Sequence, residues 1–124
     1  MLSYSQLLVW QKAMDVTTVV YRLVKLLPKE ELYALSDQMR RCAVSVPSNI
    51  AEGHTRHSVS EYTHFISIAQ GSRAELETQL LLCVRVGYLS SADIEPAMSM
   101  LEEIGKMLTA ITSKLRTKKL TPTP

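Results

Sequence analysis

Apolar residues recur three and four positions apart along almost the whole chain, and that period is the signature of helices rather than strands. It is clearest in the last third, where Ala97, Leu101, Ile104, Leu108, Ile111 and Leu115 alternate spacings of four and three. The one run that resembles a strand, Val44 to Val46, lies among helix-period residues and leads into Pro47. Four helical stretches result, joined by short turn-like segments.

The first runs from about residue 5 to 27 and is stopped by Pro28. Gln11, Asp15, Thr18, Arg22 and Lys25 fall in a polar stripe only about 80° wide at 100° per residue. Lys12 and Thr17 lie outside that stripe, and the apolar residues span an arc of about 240°, more than the half-circumference that one bundle core takes up. An arc of this width implies an obligate homo-oligomer, with Val9, Val16 and Leu23 as candidate interface residues.

The second stretch covers about residues 35–52, with Leu35, Met39, Cys42, Ala43, Val46 and Ile50 as its core stripe and Gly53 as its C-terminal cap. Pro47 inside it removes one backbone donor, frees the carbonyl of Ala43 and predicts a kink. The third opens on a capping box, Ser58-Val59-Ser60-Glu61, carries Tyr62, Phe65, Ile66, Ala69, Leu76, Leu80, Cys83 and Val84, and ends near Gly87. A start of the fourth near Asp93 makes Pro96 tolerable, and its acids precede its bases as the helix dipole favours. Gly71 and Gly105, inside helices at a cost of about 1 kcal/mol each against alanine, point to close approach of a neighbouring helix. The fold class is therefore all-α: a single-domain, antiparallel up-down four-helix bundle over residues 1–117, followed by a basic, Pro/Thr-containing flexible tail over 118–124.

With 124 residues, 46% of them apolar and 21% charged, the chain suits one globular domain. Its net charge of +2 is too small to require a nucleic-acid partner by itself. No window approaches the roughly 20 apolar residues of a membrane span, and Met1-Leu2-Ser3-Tyr4-Ser5 lacks the basic start of a signal peptide. The expectation is a cytoplasmic protein with no membrane partner. Cys42 and Cys83 sit in apolar helical stretches, which favours two buried free thiols over a single disulfide.

Enzymatic constellations are weak. Glu61-Tyr62-Thr63-His64 has the Glu-x-x-His step of di-iron bundles, and His57 shares its face. A second Glu-x-x-His is missing, and the pair points away from the apolar stripe, so a solvated polar edge is the better reading. Cys42 and Cys83 lie on core stripes where thiols are inert, and no glycine-rich phosphate loop exists. No catalytic residue, metal or cofactor is expected. Arg40 borders the core stripe of its helix, and Arg73 lies between Tyr62 and Ile66 on the third. Glu77 offers Arg73 an i, i+4 partner, and an oligomer contact is the alternative role. From Ile104 onward the chain has Lys106, Lys114, Arg116, Lys118 and Lys119 and no acid. These are the candidate contacts to RNA or DNA, although basic helix ends also arise from dipole and solubility effects.

Arg40-Arg41-Cys42-Ala43-Val44-Ser45-Val46-Pro47-Ser48-Asn49-Ile50-Ala51-Glu52-Gly53 resembles the signature of the four-helix bundle proteins encoded in intervening sequences of bacterial 23S rRNA genes. Leu8-Val9-Trp10-Gln11-Lys12-Ala13, the segment from Phe65 to Leu82, and Gly87-Tyr88-Leu89 agree with it in order. The resemblance implies an antiparallel bundle that assembles into a ring of five and a family with no established enzymatic activity. A related bundle, the accessory protein of diversity-generating retroelements, forms similar pentamers and binds nucleic acid and a reverse transcriptase. The chain departs from the pattern at Arg73, where a small or apolar residue is expected, and in His54-Thr55-Arg56-His57. Composition and resemblance together predict a non-catalytic homo-oligomer that serves in assembly or associates with nucleic acid. The rivals are a scaffold contacting only protein and a metal-dependent enzyme built on Glu61 and His64.

Overall fold

The computed structural model describes residues 3–120, and side chains through residue 118. Helices are its only regular elements among the described residues: a 3-10 turn at Tyr4–Gln6, then α1 (Leu8–Val24), a 3-10 turn at Lys29–Glu31, α2 (Leu35–His54), α3 (Val59–Arg85) and α4 (Ser91–Leu120).

The ends of these helices follow from local chemistry. The expected first helix is interrupted at Leu7, which is extended, so α1 proper begins one turn later than its apolar pattern. It closes with N–H groups of Leu26 and Leu27 on the carbonyls of Leu23 and Val24, tightened bonds that precede Pro28. The N-terminus of α3 carries half of the expected box: Ser58 Oγ accepts from the Glu61 N–H at 3.1 Å, and no return bond from the Ser58 N–H to the Glu61 carboxylate occurs among the described residues. Its C-terminus is a Schellman turn on Gly87, at φ 90°. There Tyr88 N–H reaches the Cys83 carbonyl at 2.8 Å and Gly87 N–H the Val84 carbonyl at 3.1 Å. α4 starts at Ser91, earlier than expected. Ser90 and Asp93 form a reciprocal box, Asp93 N–H on Ser90 Oγ at 3.0 Å and Ser90 N–H on Asp93 Oδ2 at 2.9 Å.

Gly53 is not a cap. α2 continues through it to His54, and the glycine instead admits α3. A Cβ there would lie 2.9 Å from Phe65 Cβ and 3.3 Å from the Tyr62 carbonyl oxygen. At Pro47 the carbonyl of Ala43, deprived of its i+4 donor, accepts from Thr17 Oγ1 of α1 at 3.1 Å. The expected boundary of the tail also moves. Helical backbone runs through residues 118–120, while residues 121–124 lie outside the described residues.

α1 packs on α2 and α4, and α3 packs on the same two, so the helices form an antiparallel square. Among the described residues, the backbones of diagonal pairs stay apart. The interior is filled by Ala13, Val16 and Val20 of α1, Met39, Val46 and Ile50 of α2, Ile66 and Leu76 of α3, and Leu101, Ile104 and Leu108 of α4. Among the described residues, no helix is long and apolar enough to cross a membrane.

This packing corrects the expected interface. Val9, Val16 and Leu23 are 3%, 0% and 8% exposed within the single chain. α1 meets two neighbours at once, so most of its wide apolar arc is consumed inside the bundle. Its uncovered apolar side chains are Leu8, Met14 and Tyr21, with Leu26 just beyond its end.

Candidate interaction surfaces

Two grooves of opposite character flank the bundle. Trp10, Met14, Thr17 and Tyr21 of α1 follow one another at helical spacing, as do Val44, Pro47, Ser48 and Ala51 of α2. With Tyr4 they line a groove of about 400 Å³. Tyr4 stands edge-on to Trp10, centroids 5.4 Å apart, which fixes the first turn against the helix that follows it. Met14, Tyr21 and Val44 are 45%, 41% and 40% exposed. The apolar excess of α1 therefore exists, but on a different face from the expected one. Its members are visible in the pattern, yet spacing within one helix does not say which part of an arc its neighbours cover.

The side formed by α3 and α4 is polar. Arg73 donates from Nε to Gln70 Oε1 and from Nη1 to Glu77 Oε1, both at 2.7 Å. Its guanidinium lies across Gly105 of α4, where a Cβ would sit 2.8 Å from Cζ. Gln70 Nε2 donates to the Gly105 carbonyl and to Thr109 Oγ1, both at 3.1 Å. Arg73 thus makes the i, i+4 ion pair with Glu77 that its spacing offers and joins an internal clasp between α3 and α4, rather than the alternative oligomer contact, because Gly105 leaves room for its side chain. Gly105 fulfils the close-approach expectation. Gly71 does not, since nothing lies within 4 Å of a Cβ there, and nothing in the structure explains its glycine. Arg40 donates to the Leu32 carbonyl at 3.2 Å.

Of the expected nucleic-acid contacts, Lys106, Lys114, Arg116 and Lys118 are exposed but do not form one patch. Lys106 pairs with Glu102 at 3.6 Å. Lys114, Arg116 and Lys118 are exposed and make no ion pair among the described residues. At 100° per residue, Lys114 and Lys118 each lie about 160° from Arg116 around α4. The side chain of Lys119 lies outside the described residues. Among the described side chains of this set, Arg116 alone overhangs a groove of about 340 Å³ between α3 and α4.

The remaining reactive groups do not converge. His64 and Glu61 are exposed, with the His64 ring edge-on to Phe65 at 5.5 Å. Arg56 covers the same Phe65 ring at 4.9 Å and pairs with Glu52. No group of three or more His, Cys, Asp or Glu side chains suited to a metal ion occurs among the described residues. Both cysteines are free and buried. Burial, reinforced by Glu75, pushes the Cys42 thiol up to about 12, and burial with Glu31 raises that of Cys83. The Cys42 thiol donates to the Ser72 carbonyl at 3.0 Å, and Cys83 points at the Met39 sulfur at 3.6 Å. Thiols held protonated in this way are poor nucleophiles.

Comparison with known proteins places this geometry. Residues 5–110 match the family described as 23S rRNA-intervening sequence protein. Among solved structures, a protein of unknown function from the S23 ribosomal protein family of Bacteroides thetaiotaomicron superposes with a TM-score of 0.79 at 25% identity. That match covers 85% of this chain and 98% of the other. Among curated proteins, none is significantly similar to this chain.

Proposed function

The chain belongs to the 23S rRNA-intervening sequence protein family, and from that premise we propose a non-enzymatic homo-oligomer, five copies in a ring, that associates with RNA or DNA. The observation that carries self-association is the α1/α2 groove, where Tyr4, Met14, Tyr21 and Val44 stay exposed after the bundle has closed. Contiguous apolar surface of this kind is uncommon on monomers, and interface cores are enriched in Tyr, Trp and Met. Burial against a second copy removes it from water at roughly 25 cal/mol for each Å². Cyclic closure leaves no free patch to propagate a filament. The number five rests on the family resemblance.

The nucleic-acid part is supported by the exposed Lys114, Arg116 and Lys118, which make no ion pair among the described residues, on a helix end with no acid after Glu103. A ring repeats that end in every copy, so weak phosphate contacts add through avidity. The protonated thiols and the open Glu61–His64 edge support the absence of catalysis.

Light scattering coupled to size exclusion tests the assembly. Wild type is expected at the mass of five chains, and Met14→Glu or Tyr21→Glu at one chain with its helicity kept. Val16→Glu should instead unfold the bundle, because Val16 is 0% exposed. A single-chain mass for wild type at micromolar concentration overturns self-association, and a mass of two or four chains overturns only the five.

A further inference from the structure

The groove over Arg116 is lined by Thr63, Ser67 and Gln70 of α3 and by Thr109, Thr112, Ser113 and Arg116 of α4, with no carboxylate. Which of these can hold a ligand depends on where their protons already go. Thr63 donates to the Val59 carbonyl, Thr109 to that of Gly105 and Thr112 to that of Leu108. Each hydroxyl has one proton, so these three face the groove as acceptors only. Both protons of the Gln70 amide are spent on Gly105 and Thr109. Ser67, Ser113 and Arg116 are different. None of the three has a side-chain hydrogen bond or ion pair among the described residues.

Their register brings these free donors together. The Gln70–Thr109 bond aligns the antiparallel helices, so Ser67, three residues before Gln70, comes level with the stretch of Thr112 and Ser113. Arg116 follows three residues on, about 4.5 Å farther along the axis, level with Thr63. Two unspent hydroxyls thus flank one end of the groove and a guanidinium the other. Hydroxyl donors beside an arginine fork match the charge and the several acceptors of a phosphate group.

We infer that the α3/α4 groove binds a phosphate of the nucleic-acid backbone, with Arg116 supplying charge and Ser67 and Ser113 neutral donors. The inference rests on the proposed nucleic-acid association and assigns it a site. It also divides the expected contacts: Arg116 is the specific one, while Lys114 and Lys118 on the far side of α4 contribute long-range attraction.

The probe is a fluorescein-labelled single-stranded RNA of about 20 nucleotides, followed by anisotropy with full-length protein over a range of salt. Replacement of Arg116 by Gln should weaken binding at least about tenfold at low salt and reduce the salt slope by about 0.7 for each copy in the ring that the RNA engages, the loss of one single-strand phosphate contact per copy. The Ser67→Ala/Ser113→Ala double variant should weaken binding severalfold to about tenfold with the slope unchanged, since hydroxyls release no counterion. Alanine at these two exposed helical positions favours the helix, so folding is preserved, and circular dichroism checks it. A double variant within twofold of wild type overturns the groove. If that result comes with binding that deletion of residues 114–124 abolishes, the association survives and only its site is wrong. Wild type that fails to bind at low salt overturns both.

Discussion

Replacing Thr17 with valine removes one hydroxyl and should expose how α1 and α2 depend on each other at Pro47. The single proton of Thr17 Oγ1 is shared in a three-centre bond between the Ala13 carbonyl at 2.7 Å and that of Ala43 at 3.1 Å. The Ala13 carbonyl keeps its own helical donor when the hydroxyl goes, so little is lost there. The Ala43 carbonyl has no such reserve, because residue 47 is a proline and supplies no N–H. Ala43 is fully buried, and a buried carbonyl left without a partner costs about 1–3 kcal/mol. Thr17 is half-buried, which puts the expected loss near 1.5 kcal/mol, about the lower middle of that range. Valine keeps the shape, so packing contributes little. The decisive comparison is Pro47→Ala, which returns an N–H to the Ala43 carbonyl. In that background Thr17→Val should cost only a few tenths of a kcal/mol, a coupling of about 1 kcal/mol between residues on different helices. Urea unfolding followed by circular dichroism measures the cycle, at one fixed chain concentration because assembly adds a mass-action contribution. Equal losses in the two backgrounds, within about 0.3 kcal/mol, refute the reasoning.

The glycines give a second, signed comparison. Gly53→Ala forces a Cβ against Phe65 and the Tyr62 carbonyl and should destabilise by about 1–2 kcal/mol. Gly71→Ala meets nothing and should stabilise by about 1 kcal/mol; urea midpoints read both. The thiols predict a pH dependence. In the folded chain Cys42 titrates at about 12 against 9.0 ordinarily, so the unfolded chain releases the proton first. That stabilisation is fully present below about pH 9 and is lost as pH rises from there toward about 12. Cys42→Ala should flatten the fall in urea midpoint over this range, and a thiol-specific dye should label neither cysteine before denaturant is added.

Helix type and position are legible in the sequence because the period that specifies a helix lies within one element. The stripe from Ala97 to Leu108 and the Ser58 cap need no knowledge of any neighbour. Contacts between elements are not legible in this way. The freed Ala43 carbonyl can be read from Pro47 alone, but its donor, Thr17, lies 26 residues away. Taken singly, Arg73 is a departure from a pattern and Gly105 a cost to a helix. Together they are one feature, an arginine seated on a helix that has no side chain at that point. The free donors at Ser67, Ser113 and Arg116 are hidden for the same reason, since a serine beside a helix backbone looks alike whether its proton is spent or not.

The misassigned interface on α1 follows from this limit and shows how to remove it. Periodicity establishes that α1 carries more apolar surface than one contact needs. It cannot apportion that surface, because the apportioning depends on how side chains of the neighbouring helices fill the core. Cross-helix pairs such as Lys12 with Glu103 and Thr17 with Ala43 mark the rotation of α1 between α4 and α2 that this burial sets. That rotation turns Val9, Val16 and Leu23 inward and leaves Met14 and Tyr21 facing out. A glutamate at Val16 and one at Tyr21 would look equivalent on the apolar arc alone, yet the rotation assigns unfolding to the first and dissociation to the second. If both substitutions unfold the chain, Tyr21 belongs to the core and the α1/α2 groove is no interface. If both merely dissociate it, α1 is rotated differently in the assembled protein, and the contacts of Lys12 and Thr17 must change with it.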